Sequence, residues 1–111
     1  MKTDCFENRE KFEDTGFNYT LSLISGKYKL TILYALSLYK VLRYNELKRY
    51  LGLVSHKTLS TTLKELESDD MIIRKEYPQI PPKVEYSLSK KGESFIPILS
   101  QMCYWGEEHK K

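Results

Sequence analysis

No part of this sequence is apolar for long enough to span a membrane. The longest apolar run, within Leu30 to Leu38, is broken by Thr31 and Ser37, well short of the roughly 18 to 20 residues a span requires. The opening MKTDCFENRE is too acidic and polar for the apolar centre of a secretory signal. Cysteine is scarce: Cys5 and Cys103 stand at opposite ends, with no CxxC or Cys/His ligand spacing around them. That pattern excludes a disulfide scaffold and gives no metal site. A reducing cytoplasm is the expected compartment, with Cys103 read as a small buried hydrophobe. Catalytic signatures are missing too. There is no P-loop, no GxGxxG and no carboxylate pair that stands out, and the two histidines, His56 and His109, are far apart in the chain. An enzyme is therefore not expected, and neither is a cofactor.

What is present is enough for one domain and little more, since 111 residues sit at the low end of the roughly 100 to 200 that a domain takes. Hydrophobic residues make up 41% and charged residues 30%, which argues for a folded core under a charged surface rather than disorder. The net charge of +3 is unevenly spread. Between Thr20 and Lys64 eight basic residues face the single acid Glu46, giving +7, while the rest of the chain has 10 basic and 14 acidic residues, giving −4. A locally basic segment in an otherwise acidic chain favours an anionic partner at one surface.

Hydrophobic spacing divides the chain into helices, a hairpin and a final helix. Phe6 to Asp14 reads as a short helix with a thin apolar seam. Gly16 interrupts it, and Asn18 is the expected cap of a helix from about Tyr19 to Ser25. In Lys27 to Leu38 the residues Tyr28, Ile32, Leu33, Ala35 and Leu36 form the inward face of a second helix. Val41 to Arg43 is β-prone, and Tyr44 to Leu51 reads as another helix, ended by Gly52. Ser55 then caps a helix running to about Asp69, so that a helix, a short glycine-containing turn and a second helix follow one another. Met71 to Tyr77 and Lys83 to Leu88 alternate as hairpin strands around Pro78-Gln79-Ile80-Pro81-Pro82. Ser89 caps a last helix carrying Phe95, Ile98, Leu99, Met102 and Trp105, which Pro97 should bend or delay. The fold class is α+β, mainly α: a winged helix-turn-helix at 19–88, an N-terminal arm or helix at 1–18 and a dimerisation helix at 89–111.

The helix from Ser55 carries the chemistry. At about 100° per residue, Leu59, Leu63 and Leu66 share one side, while Lys57, Thr61, Lys64 and Ser68 lie opposite, flanked by Ser60. The outer face is basic and hydroxylic, with no carboxylate until Glu65. A helix in the DNA major groove needs such a face, because phosphates repel carboxylates and base edges need donors. Lys57 and Lys64 are placed for phosphates or guanine, and Ser55, Thr58, Ser60 and Thr61 for phosphates or bases. His56 lies nearer the core side, where it is either structural or within reach of the backbone. Arg43, Tyr44 and Asn45 are expected near phosphates, and Arg74, Lys75 and Lys83 equip the hairpin to touch a neighbouring groove. Outside this unit, Phe6, Phe12, Ile96, Leu99, Cys103 and Trp105 exceed what so small a core can cover, which points to a two-fold dimer.

The runs Leu23-Ile24-Ser25-Gly26-Lys27-Tyr28-Lys29, Arg43-Tyr44-Asn45-Glu46-Leu47, Ser55-His56-Lys57-Thr58-Leu59, Leu63-Lys64-Glu65-Leu66-Glu67, Tyr77 to Leu88 and Trp105-Gly106, in that order, resemble the HxlR family of MarR-like winged-helix regulators. The resemblance implies a bacterial, cytoplasmic, homodimeric transcription factor that binds double-stranded DNA. Its terminal helices would form the dimer contact, Ser55 to Asp69 the recognition helix and about Met71 to Leu88 the wing. Some members of that family sense oxidants through a cysteine just before the first core helix. The matching position here falls near Asp14; Cys5, nine residues earlier, is the redox candidate, where Asp4, Glu7 and Glu10 disfavour a thiolate and Lys2 and Arg9 partly offset them, and an oxidant or small molecule is the candidate effector. The family's usual Gly-Pro before Arg43 is replaced by Lys40-Val41. A winged helix that binds only protein is the alternative reading.

Overall fold

The structure is a computed structural model and describes residues 11–111. After a single 3-10 turn at Phe12–Asp14, the elements are α1 (Gly16–Ile24), α2 (Lys29–Tyr39), β1 (Val41–Arg43), α3 (Tyr44–Leu51), α4 (His56–Ser68), β2 (Ile72–Tyr77), β3 (Lys83–Leu88), α5 (Lys90–Glu93) and α6 (Ile96–His109). The predicted helix at Phe6 to Asp14 falls largely outside the described residues, and its last three residues form the 3-10 turn. Thr15, not Asn18, caps α1: the Asn18 amide donates to Thr15 Oγ1 at 3.0 Å. Gly16 therefore sits in the first helical turn instead of breaking the chain there.

The three strands form one antiparallel sheet in the order β1-β3-β2. The β2–β3 hairpin pairs Ile72 with Leu88 and Tyr77 with Lys83, and the proline-rich loop lies beyond the ladder, where missing N–H donors cost no pairing. The short β1 pairs Val41 with Ser87 and Arg43 with Glu85. This ties the start of α3 to the middle of the wing.

A single core lies between the helices and one face of the sheet. It takes Ile32, Leu33, Ala35 and Leu36 from α2, Leu47 from α3, Leu59, Leu63 and Leu66 from α4, and Met71, Ile72 and Tyr86 from the sheet, with Phe95 and Leu99 closing one end. The α4 positions follow the 3.6-residue period that the sequence displays. Thr62 joins them as a buried polar residue whose hydroxyl donates to the Thr58 carbonyl at 2.7 Å.

Both ends of α4 are secured. Ser55 Oγ accepts the Thr58 amide at 3.1 Å, the expected N-cap. At the other end Asp70 has φ of 60°, the Asp70 amide donates to the Glu67 carbonyl at 3.0 Å, and the Met71 amide donates to the Leu66 carbonyl at 2.9 Å. This is a left-handed helix stop with Met71 and Leu66 buried beside it. Lys91 Nζ donates to the Asp69 carbonyl at 3.0 Å and to the Tyr19 hydroxyl at 2.8 Å, so one ammonium links α5, α1 and the C-terminal end of α4. The Tyr19 hydrogen bond holds the Lys91 ammonium above its ordinary value, with smaller help from Asp70 and Asp69.

Ser89 caps the turn after the wing, as the sequence suggests, but only for the short α5. Its Oγ accepts the Gly92 amide at 2.9 Å. The chain then turns, and α6 starts with Pro97 in its first turn, where the absent N–H is harmless.

Candidate nucleic-acid interface

The outward face of α4 holds Lys57, Thr58, Thr61, Lys64 and Ser68, all exposed, with Ser60 half-buried. None of its cations forms an ion pair among the described residues. Lys64 and Thr61 share a polar concavity of about 400 Å³ with Lys29, Glu65, Ser68 and Asp69. Here the structure adds something the helical wheel lacks: Lys29, from the first turn of α2, reaches Glu65 at 3.4 Å. The first carboxylate on α4 is thus partly neutralised by a cation from another helix.

Arg43, Tyr44 and Asn45 begin the helix before the turn. Arg43 and Asn45 are exposed, as a phosphate contact requires. Tyr44 is engaged differently. Its hydroxyl lies 3.1 Å from His56 Nδ1, 3.1 Å from the His56 carbonyl oxygen and 3.3 Å from Ser60 Oγ, and its ring is parallel to the His56 imidazole. His56 is therefore an exposed residue of the α4 N-terminus packed on α3, not one turned toward the core. Glu46, the lone acid of the basic segment, accepts the Arg43 amide at 2.7 Å as half of a capping box. Its charge is used at the helix start.

Two cations that the sequence reading passed over, Lys48 and Arg49, line a concavity of about 410 Å³ with Asn45, Gly52 and His56. Their contribution to the local charge was visible, but not their position beside the first turn of α4, because that depends on the angle between α3 and α4. Gly52 sets the turn with φ of 81°.

The wing carries its three predicted cations less freely than composition suggests. Arg74 meets Glu76 at 3.1 Å and Lys83 meets Glu85 at 3.2 Å. Lys75 has no ion pair among the described residues, and with Lys83 it flanks the Tyr77 ring, at 5.0 and 4.8 Å from its centroid. The Tyr77 hydroxyl donates to Glu85 Oε1 at 3.0 Å. That bond, followed by Lys83, holds the Glu85 carboxyl below its ordinary value. Ile80 at the tip is completely exposed.

The residues assigned to pairing of two chains divide into three groups. Phe6 and the redox candidate Cys5 lie outside the described residues. Phe12 and Trp105 are exposed and Ile96 is half-buried. Leu99 is a correction: it is 5% exposed and belongs to the chain's own core, because the turn before α6 rotates Phe95 and Leu99 inward toward α2. Ile98 and Met102 take its place on the outer face, each about half exposed. Cys103 is exposed, which corrects the expectation of a small buried hydrophobe and leaves its side chain open to a second chain. It lines one concavity with Tyr34, and the neighbouring thiol raises the Tyr34 phenol above its ordinary value. Between α1 and α6 lies an apolar concavity of about 810 Å³, walled by Phe12, Phe17, Leu21, Ile24, Ile98 and Met102 among others.

No helix among the described residues is long and apolar enough to cross a membrane. The chain is 52% identical over 101 residues to the HTH-type transcriptional regulator BH0655 of Halalkalibacterium halodurans, covering 91% of this chain and 89% of that one. Its fold superposes with a TM-score of 0.83 on a MarR-family transcriptional regulator from Porphyromonas gingivalis, at 33% identity and over 92% of this chain and 99% of that one. The redox regulator HypR in its oxidized form matches with a TM-score of 0.79 at 38% identity, over 86% and 97% of the two chains. The model of the HxlR-like helix-turn-helix family matches residues 23–111, the whole stretch from the end of α1 through wing and α6, and the chain belongs to that family.

Proposed function

We propose that this protein is a DNA-binding transcriptional regulator that binds a palindromic operator as a homodimer. The recognition helix α4 lies in the major groove and the wing rests on the adjacent groove or backbone. The observation that carries the reading is the outer face of α4, where Lys57, Thr61 and Lys64 are exposed without ion pairs among the described residues on a helix capped at both ends. Ser55 serves as its cap, Thr58 and Ser60 flank the reading face, and Arg43 and Asn45 lie beside the same backbone. In the wing, Lys75 is the cation left for a phosphate, with Arg74 and Lys83 already shared with carboxylates.

The dimer reading rests on the apolar surface at the ends, where Phe12, Ile98, Met102 and Trp105 remain exposed and monomers rarely leave such area uncovered. Segments 1–18 and 89–111 would carry that contact and 19–88 the DNA contact, with recognition helices about 34 Å apart on a two-fold site. A cytoplasmic place of action follows from this role. Cys5 is the position at which an oxidant would act.

Selection of bound sequences from random duplexes, followed by anisotropy at several salt concentrations, tests the reading. A palindromic winner is expected. Lys64→Ala should weaken all duplexes and lower the slope of log affinity against log salt by about one phosphate's worth, while Thr61→Ala should change the preferred bases. Absence of any enriched sequence would leave a protein-binding winged helix.

A further inference from the structure

We propose that the notch between α3 and α4 is a binding site for a single phosphodiester of the DNA backbone, in which His56, oriented by Tyr44, donates through Nε2 beside Lys48, Arg49 and Asn45. The inference rests on the DNA-binding reading and adds a specific anchor to it.

The hydrogen-bond arithmetic at Tyr44 is informative. A phenol has one proton to give and two lone pairs, and this hydroxyl has three neighbours, His56 Nδ1, the His56 carbonyl and Ser60 Oγ, all within 3.3 Å. If the proton goes to Nδ1, the hydroxyl oxygen faces the carbonyl oxygen at 3.1 Å with nothing between them. If it goes to the carbonyl, Nδ1–H and the Ser60 hydroxyl both donate to Tyr44, and every contact is a hydrogen bond. That second arrangement requires a proton on Nδ1. A ring that is protonated there and also donates from Nε2 is the imidazolium.

The surroundings say what would stabilise that cation. Nε2 has no partner among the described residues, and His56 opens on the same concavity as Asn45, Lys48, Arg49 and Gly52. Tyr44 from α3 lies against the ring, Lys48 and Arg49 from α3 line the same concavity, and on α4 the neutral Ser60 meets the Tyr44 hydroxyl. Glu46, the nearest acid in sequence, is bound to the Arg43 amide. Neither Lys48 nor Arg49 has an ion pair among the described residues. Three donors of positive charge facing one open space oppose each other until an anion arrives, and a phosphate oxygen accepts from all of them. Tyr44 is a positioning residue: it aims the ring without touching the DNA.

A scan with single neutral methylphosphonates along the selected duplex tests this. One position per half-site should weaken the unmodified protein about tenfold, as expected for one charge-assisted contact, and should weaken His56→Gln and Arg49→Ala less than twofold. Tyr44→Phe retains the ring and should lower the sensitivity at that same position to about two- to fourfold while leaving the melting temperature within a few degrees. If His56→Gln and Arg49→Ala remain as sensitive as the unmodified protein at every position, the notch assignment is wrong although the DNA reading stands. If the unmodified protein selects no duplex at all, both fall together.

Discussion

Lys40 adopts φ 70° and ψ −55°, a conformation that a residue with a Cβ enters only at the expense of backbone strain. It stands where the family resemblance places glycine, at the hinge between α2 and β1, and its amide donates to the Leu36 carbonyl at 3.0 Å to close the helix. Lys40→Gly should relieve about 1 kcal/mol of strain, partly offset by the greater freedom of glycine in the unfolded chain. The expected result is a rise of a few degrees in the thermal midpoint, measured by circular dichroism, with DNA affinity unchanged. A fall would show that the lysine side chain contributes more than its backbone costs. The same scale decides Tyr44 and His56. Residue types alone placed both near DNA, but a hydroxyl with three partners belongs to the machinery that aims a contact.

Among the elements, α5 shows how closely the parts approach. A Cβ added to Gly92 would lie 2.1 Å from the Met71 carbonyl oxygen, a backbone atom that cannot swing aside. Gly92→Ala should therefore lift α5 off the start of β2 and destabilise the protein by about 3 kcal/mol, at the upper end of ordinary overpacking, as read from chemical denaturation. Loss of under 1 kcal/mol would mean that α5 is loosely held. The wing poses an electrostatic question instead. Glu76 neutralises Arg74 on the same strand, so Glu76→Gln should free that cation and tighten duplex binding about two- to threefold at low salt, with a steeper salt dependence. Unaltered affinity and slope would separate the wing from the duplex.

For the whole molecule, α1 and α6 expose Phe17, Tyr19, Ile98, Met102, Tyr104 and Trp105 and carry no lysine or arginine, while α3 and α4 carry Lys48, Arg49, Lys57 and Lys64. A dimer formed through the first set leaves the second free on both copies, which is the arrangement a two-fold operator requires. Trp105 is 65% exposed on α6, with His109 stacked on its indole. Trp105→Glu would place a carboxylate in the proposed contact and should yield a monomer by sedimentation equilibrium. Operator affinity should fall at least tenfold, because each half-site then binds alone. A variant that stays dimeric would move the contact away from the end of α6.

Much of this was determined by sequence, because helical periodicity and caps are local. The face of Leu59, Leu63 and Leu66 opposite Lys57, Thr61 and Lys64 follows from 100° per residue, the Ser55 cap from one hydroxyl three residues before an amide, and the hairpin from alternation and prolines. Local signals err where two choices lie close together, as with Thr15 and Asn18 at the start of α1. Only tertiary structure decided the rest. Whether a cation is free depends on what packs beside it: Lys29 against Glu65 across two helices, or Arg74 against Glu76 on one strand. Leu99 and Cys103 share a face of α6, four residues apart, yet one is core and the other surface, since Cys103 lies a turn further along, past the last residue that the core reaches. The notch of Lys48, Arg49 and His56 exists because α3 and α4 meet at a particular angle, and an angle between helices is a property of packing that no single helix encodes.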